Sequence, residues 1–280
     1  RGRGLHGSGL ESIDPLSLDS PHTKALLLLH AHLARAPLPI SDFVNDTKTV
    51  LDQALRVTNA MVDMAAEEGL LSCALGLMRL SQAVVMATHP NAPELDQVPD
   101  LGGKADKLKK GSALVDLLKA SQHARSGKGG KGGANLSARA RDFLGRVPRL
   151  GSLVGCVEGG PRVPSDADCT LRVTASYEPP PSSGKLLTPF FHKPRALGFW
   201  LVLGDRESDE LYALKRLPQS LGSGRQLKAE LAFAAPEVAA GRKVELGLWL
   251  VADSIRGIDL EASVTLEVHP SEGQPPSKAP

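Results

Sequence analysis

The stretch GFWLVLGDRESDELYALKRL, residues 198–217, reads as a β-hairpin. Successive side chains on a strand point to opposite faces. Here Phe199, Leu201 and Leu203 alternate with Trp200 and Val202, and both sets are apolar, so this strand is expected to be covered on both sides. Leu211, Ala213 and Leu217 continue the pattern in a second strand, with Gly204 to Asp209 as the exposed turn. Asp205, Glu207, Asp209 and Glu210 raise the thought of calcium. The twelve-residue ligand loop with its bidentate Glu is missing, and a charged turn is the better reading.

Working outward, period two governs everything after about residue 150. The runs RLGSLVGCVEG, CTLRVTASYE, QLKAELAFAA, KVELGLWLVAD and LEASVTLEVH join the two arms of the hairpin as seven strand-like segments. Turn residues separate them (Gly-Gly-Pro, Pro-Pro-Pro-Ser-Ser-Gly, Gly-Ser-Gly, Pro-Glu). That count and spacing predict an immunoglobulin-like, or fibronectin III-like, β-sandwich over residues 151–270, with a tail at 271–280 disordered by composition.

Upstream the period is helical. DSPHTKALLLLHAHLARA opens with Asp19 or Ser20 as an N-cap and Pro21 at the first helical position, and Leu26, Leu29 and Leu33 form a stripe. PLPISDF breaks that helix. NDTKTVLDQALRVTNAMVDMAAEEG follows, capped by Asp46 or Thr47 and ended by Gly69. Val50, Ala54, Val57, Met61 and Met64 recur at steps of three and four as its apolar stripe, and the opposite face carries Asp52, Gln53, Arg56 and Asn59. LLSCALGLMRLSQAVVMATH is apolar nearly all round and so expected to be buried. SALVDLLKASQHA and NLSARARDFLGRV are two short helices around the flexible tract RSGKGGKGG. The fold class is therefore α+β: a linker at 1–19, a helical bundle at 20–103, a helix-loop-helix at 104–150, then the sandwich.

Residues 101–150 hold 12 Lys and Arg against 3 Asp and Glu, on a chain whose remainder is mildly acidic. A local basic segment of this kind suits contact with a phosphate backbone; the plainer reading is a solvated loop. The three cysteines, Cys73, Cys156 and Cys169, show no CxxC spacing, so neither a disulfide framework nor a zinc site is indicated. His30 and His32 stand two apart, which on a helix does not aim both at one metal. No apolar run approaches the roughly 18 residues of a membrane span. The N-terminus lacks an initiating Met and a signal-peptide apolar stretch, and the chain reads as a piece of something longer. No GxxxxGK[ST], GxSxG or HExxH occurs; RSGKGGKGG has no GK[ST] and no strand before it, so ATP hydrolysis by this chain is not expected.

SPHTKALLLLHAHLARAPLPISDFVNDTKTVLDQALRVTNAMVDMAAEEG resembles the start of the Sec-63 domain of large Ski2-like helicases, the cointegrator-complex and U5 snRNP 200 kDa members above all. PFFHKPRALGFWLVLGDRESDELYALKRL and LWLVADSIRGIDLEASVTLEV resemble the β half of the same domain. The resemblance runs from about residue 10 to 269, and is weak over 104–150. It implies a non-catalytic accessory unit. A ratchet helix, residues 47–68 here, would lie along the tracking single strand of DNA or RNA. Its contact positions map onto Thr49, Gln53, Arg56 and Asn59. An Arg can bind phosphate bidentately, and Gln and Asn can bond a base edge or sugar. The helix-loop-helix would hold backbone phosphate through Lys107, Lys109, Lys110, Lys128, Lys131, Arg139 and Arg141.

The implied partners are the RecA-like and winged-helix domains of the same polypeptide, with Lys215 and Arg216 as docking charges, and subunits of a repair, ribosome-rescue or spliceosomal complex. The implied location is the nucleus, with the cytoplasm a second compartment. No cofactor is implied for this stretch, ATP and Mg²⁺ belonging to the motor domains. A docking module without nucleic-acid binding is the main rival. The translocon component that gave the domain its name is a third reading; its J-domain, membrane spans and acidic tail have no counterpart in this sequence.

Overall fold

Ser20 and Pro21 start the first helix, α1 (Pro21–Leu33), as their chemistry dictates: the Ser20 hydroxyl accepts from the His22 N–H, and Pro21 occupies a position whose N–H would go unpaired. The structure, a computed structural model, describes residues 19–101, 113–125, 136–180, 185–217, 225–237 and 242–269. Helix α2 (Ser41–Glu67) has 27 residues, about 40 Å at 1.5 Å per residue. It begins six residues before Thr47: the break ends with Pro39 and Ile40; Ser41, Asp42 and Phe43 are already helical; and Ile40 is the N-cap, so Asp46 and Thr47 lie inside the helix instead of capping it. Gly69, at φ 71°, takes the left-handed conformation that ends it. Helix α3 (Leu71–Met86), a short 3₁₀ turn (Glu94–Gln97), α4 (Leu114–Arg125) and α5 (Ala138–Gly145) complete the helical part.

Among the described residues eight strands follow: β1 (Arg149–Val157), β2 (Arg162–Pro164), β3 (Asp168–Glu178), β4 (Phe199–Asp205), β5 (Glu210–Leu217), β6 (Gln226–Ala234), β7 (Arg242–Ala252) and β8 (Leu260–His269). They form a three-stranded antiparallel sheet, β1-β3-β6, and a five-stranded sheet, β2-β8-β7-β4-β5. Among the described residues only β2 pairs parallel to its neighbour. The fold class is α+β.

The five-stranded sheet is covered on both faces. Toward the three-stranded sheet it presents Phe199, Leu201, Leu203, Leu246, Leu248 and Leu250, which share one core with Leu171, Val173, Leu227 and Leu231. Toward the helices it presents Trp200, Val202, Trp249 and Val251, packed on Val62, Ala65, Leu71, Ala74 and Met78. Each large side chain buried in this way contributes about 1.5–3 kcal/mol. The hairpin departs from simple alternation at one place. Leu203 faces Ala213 but Gly204 faces Leu211, so Tyr212 is the extra residue of a bulge. The bulge sends Leu211 to the helical face while Ala213 and Leu217 stay on the sheet side, so the three do not share the one face expected of them.

Two apolar stripes also differ from expectation. On α1 the buried residue is Leu28, and Leu26 is 42% exposed. On α2 the buried residues are Thr47, Leu51, Leu55, Thr58, Val62 and Ala65. Val57, Met61 and Met64 are exposed, at 56, 45 and 63%. The helix carries two apolar stripes, and the core takes the one with Leu51, Leu55 and Val62. Thr47 and Thr58 join it by bonding their hydroxyls to the carbonyls of Phe43 and Ala54, which satisfies them inside the packing.

Polar ties fix the helices to the sheets. Asp209, at the end of the β4–β5 turn, accepts the Ser72 N–H on a side-chain oxygen at 2.8 Å and the Leu71 N–H on its carbonyl at 3.1 Å. It thereby caps α3. The bonds from Ser72 hold its carboxyl below the usual carboxylate range. Arg256, in the β7–β8 loop, donates to the carbonyls of His89, Pro90, Ala92 and Pro93, and Gln97 bonds the Arg256 backbone at both N–H and carbonyl. Arg35 donates to the carbonyls of Met86, Ala87 and Asp96 and stacks on Phe190. Among the described residues no helix is long and apolar enough to cross a membrane.

Candidate nucleic-acid interface

Because Leu51, Leu55, Thr58 and Val62 turn inward, the far side of α2 is left to solvent along most of its length. At about 100° per residue, Thr49, Gln53 and Arg56 fall within about 60° of one another on that far side, and all three are exposed. Arg56 donates to the Gln53 side-chain carbonyl at 3.4 Å, a long bond that a ligand can displace. Asn59 is separate. It lies about 60° further round, is half-buried, and gives its backbone carbonyl to Arg216 at 2.9 Å. The structure brings the first three together and moves Asn59 to the flank. The exposed Val57, Met61 and Met64 border the trio on its other side.

Three carboxylates on α2 each meet a cation from another element. Asp46 pairs with Lys24 at 2.6 Å, Asp52 with Lys193 at 2.6 Å and His192 at 3.3 Å, and Asp63 with Arg216 at 2.9 Å. The Lys193 hydrogen bond, with His192 beside it, holds the Asp52 carboxyl below its ordinary range. Exposed pairs of this kind contribute only about 0–1 kcal/mol to stability. Their larger consequence is electrostatic. They neutralise three of the five acids of the helix, leaving Asp42 and Glu67 near its two ends without an ion pair among the described residues, while Arg56 at its middle has none either. A polyanion approaching this face meets an uncompensated guanidinium and hydrogen-bonding groups rather than a row of negative charge.

The remaining predicted residues divide. Lys107, Lys109, Lys110, Lys128 and Lys131 lie outside the described residues, as do 1–18 of the expected linker and the 271–280 tail. Arg139 and Arg141 are exposed on α5, whose N-cap Ser137 accepts the Ala140 N–H and donates to Asp100. Lys215 donates to the Glu230 carbonyl of β6 at 2.8 Å. Arg216 serves within the molecule, tying β5 to Asn59 and Asp63 of α2. His32 donates Nε2–H to the Val84 carbonyl at 2.7 Å, and burial lowers its pKa. Among the described residues no group of three or more His, Cys, Asp or Glu could hold a metal ion.

Sequence reasoning missed the partners Lys193, His192 and Asp63. It also missed the pair of buried Gln82 and Asp259, where Gln82 donates to Asp259 and to the Ala252 carbonyl, and Asp259 accepts the Ala252 N–H at 2.7 Å. The residue Asp259 as a whole is exposed, but the crowding of protein around its carboxyl pushes that group up to about 6. No local signal marks these pairs, since each joins segments far apart in the chain.

The Sec63 Brl domain model matches residues 11–265. The chain belongs to the Sec63 Brl domain family. Its relatives include Activating signal cointegrator 1 complex subunit 3 of Homo sapiens, 32% identical over 307 residues, 91% of this chain and 14% of that protein. They include the U5 small nuclear ribonucleoprotein 200 kDa helicase of Caenorhabditis elegans, 32% identical over 258 residues, 89% of this chain and 11% of the relative. The DExH-box ATP-dependent RNA helicase DExH14 of Arabidopsis thaliana is 32% identical over 270 residues, 90% and 11% respectively. This Sec63 chain thus spans a small part of the length of these relatives. Among solved structures, the Pseudomonas fluorescens alkylpurine DNA glycosylase AlkC bound to abasic-site DNA aligns over 94% of this chain and 85% of that one, with 15% identity and a TM-score of 0.25 that carries no structural argument.

Proposed function

We propose that this chain is the non-catalytic Sec63 accessory unit of a Ski2-like DNA or RNA helicase, and that the exposed face of α2 guides the unwound single strand. One observation carries the reading: in a Sec63 chain with helicase relatives, Thr49, Gln53 and Arg56 share an open helical face on which the neighbouring carboxylates are neutralised. Arg56 would grip phosphate, and Thr49 and Gln53 would bond sugar or base edges. Arg139 and Arg141, with the lysines of the helix-loop-helix, would add backbone grip. ATP and Mg²⁺ would serve the RecA-like motor, on which, or on partner subunits, the β half would dock. The strand orders β1-β3-β6 and β2-β8-β7-β4-β5, with β2 parallel to β8, support an immunoglobulin-like sandwich for that half. The nucleus is the proposed location, which fits the small nuclear ribonucleoprotein named in one relative, and repair, ribosome rescue or splicing would be the work the unit serves.

One feature favours the rival of a protein-docking module: the exposed Val57, Met61 and Met64 offer a partner helix an apolar seam. Binding of a labelled single-stranded oligonucleotide across a salt series separates the two. The strand reading expects salt-dependent binding that Arg56→Ala weakens several-fold, with a shallower log–log slope. Absence of salt-dependent binding by the unmodified chain leaves only the docking reading.

A further inference from the structure

Between the flank of α2 and the ends of β4 and β5 lies a cleft of about 420 Å³, walled by Asn59, Ser81, Arg195, Gly198, Arg216 and Asp253. Two guanidinium groups face it. Arg216 spends one nitrogen on Asp63 and the Asn59 carbonyl, each at 2.9 Å. Arg195 is half-buried and stands 5.7 Å from the Phe191 ring centre. Its Nε is fully buried and has no hydrogen-bond partner among the described residues. A guanidinium carries five N–H donors in a fixed fork, and a buried one left unmatched is costly. The buried Nε is closed to a ligand in this conformation; the terminal N–H groups of Arg195, which make no hydrogen bond or ion pair among the described residues, are the donors left for an acceptor in the cleft.

We propose that the Arg195–Arg216 cleft is an oxyanion site that takes a backbone phosphodiester of the same strand that passes over Arg56. This rests on the strand-guiding reading of α2 and extends the track from the helix onto the β half. Position supports the phosphodiester as the source. Asn59 belongs both to α2 and to the cleft wall, and it sits three residues, about 4.5 Å of helical rise, beyond Arg56. Arg chemistry supports the oxyanion, since the planar fork binds two phosphate oxygens at once. The two guanidiniums outnumber the uncommitted acid of the cleft. Asp63 is committed to Arg216. Asp253, the acid in the wall, accepts the Ser254 hydroxyl at 2.5 Å, and burial raises its pKa against the pull of Ser254, Gly198 and Arg195. A Cβ at Gly198 would stand 2.8 Å from an Asp253 carboxyl oxygen, so glycine is what lets that carboxyl lie against the strand.

The test is fluorescence anisotropy of a labelled 12-mer oligothymidylate and oligouridylate over a potassium chloride series. The proteins are the whole chain, Arg195→Ala, Arg195→Lys and Arg56→Ala, with melting temperatures recorded for each. Arg195→Ala is expected to weaken binding 3- to 10-fold and to reduce the slope by about 0.7, the share of one phosphate contact on a single strand. Arg195→Lys keeps the charge without the fork, so it should restore the slope but not the full affinity. If Arg195→Ala matches the unmodified chain in affinity and slope while Arg56→Ala is weakened, the cleft site is overturned and the α2 track stands. If the unmodified chain shows no salt-dependent binding, both are overturned. In a separate arm, inorganic phosphate is added during melting. A melting temperature that rises with phosphate only when Arg195 is present, with oligonucleotide binding unaffected by Arg195→Ala, makes this a free-anion site and overturns the strand assignment.

Discussion

Strand β4 is covered on both faces, by the three-stranded sheet on one side and by α2 and α3 on the other. Helix α2, packed against that same strand, is covered on one. Leu201 and Val202 on β4 are both wholly buried although they point in opposite directions. On α2, Val62 is wholly buried and Met61, next to it, is 45% exposed. The difference separates two uses of apolar surface. On β4 every apolar side chain belongs to the core. On α2 half of the apolar surface has been left out of it, alongside an arginine with no ionic partner among the described residues, and such a surface is available to bind.

The largest predicted effect breaks the covered region. Leu201→Ala should cost about 2–5 kcal/mol in chemical denaturation, because the cavity forms where two sheets meet and neither can collapse into it. A cost under 1 kcal/mol would mean that the sheets are not packed together at this point.

The next effect probes the tie between helices and sheet. The folded Asp259 carboxyl titrates at about 6, against an ordinary 3.8. The folded state therefore holds a proton that the unfolded chain has released between these values, so stability from this group falls as pH rises from about 4 to about 6 and is flat above. Asp259 is partly open to solvent, so screening trims the effect of the shift to about 1–2 kcal/mol. Asp259→Asn should remove that fall, so its stability relative to the unmodified chain should improve by about 1–2 kcal/mol between pH 4 and pH 7. Parallel stability curves would show that the carboxyl does not hold its proton at the Gln82 contact.

Smaller again is Arg216→Ala. It should lower stability by about 1 kcal/mol or less, because the Asp63 pair is half exposed. Met61→Ala should change stability by less than about 0.5 kcal/mol in either direction, since the side chain is outside the core. A loss of 2 kcal/mol at Met61 would place it in the core and reverse the assignment of the two α2 stripes.

The legibility of the two regions follows from the same physics. The hairpin could be read because both parities of residues 199–203 are apolar, so no choice of face was needed. β2 escaped because three residues ending in Pro164 carry no period. The bulge at Tyr212 escaped because register is set by the partner strand, not by the local pattern. On α2 the period was plain, but two stripes fit it, Leu51–Leu55–Val62 and Val57–Met61–Met64. Only the neighbours decide which is covered. The positions Thr49, Gln53 and Arg56 came from the family resemblance, and the separation of Asn59 from them came from its contact with Arg216. Lys193 and Arg216 stand more than 140 residues from the carboxylates they pair with, so those pairings required the fold.

The four methionines offer the most direct test of the central claim, that the open face of α2 contacts a single strand. Met61 and Met64 lie exposed on that face, and Met78 and Met86 are fully buried elsewhere. With ¹³C-methyl-labelled methionine, titration of a single-stranded oligonucleotide should shift the Met61 and Met64 resonances in proportion to occupancy and leave Met78 and Met86 in place. Binding that shifts neither Met61 nor Met64 would contradict the account and move the contact away from α2.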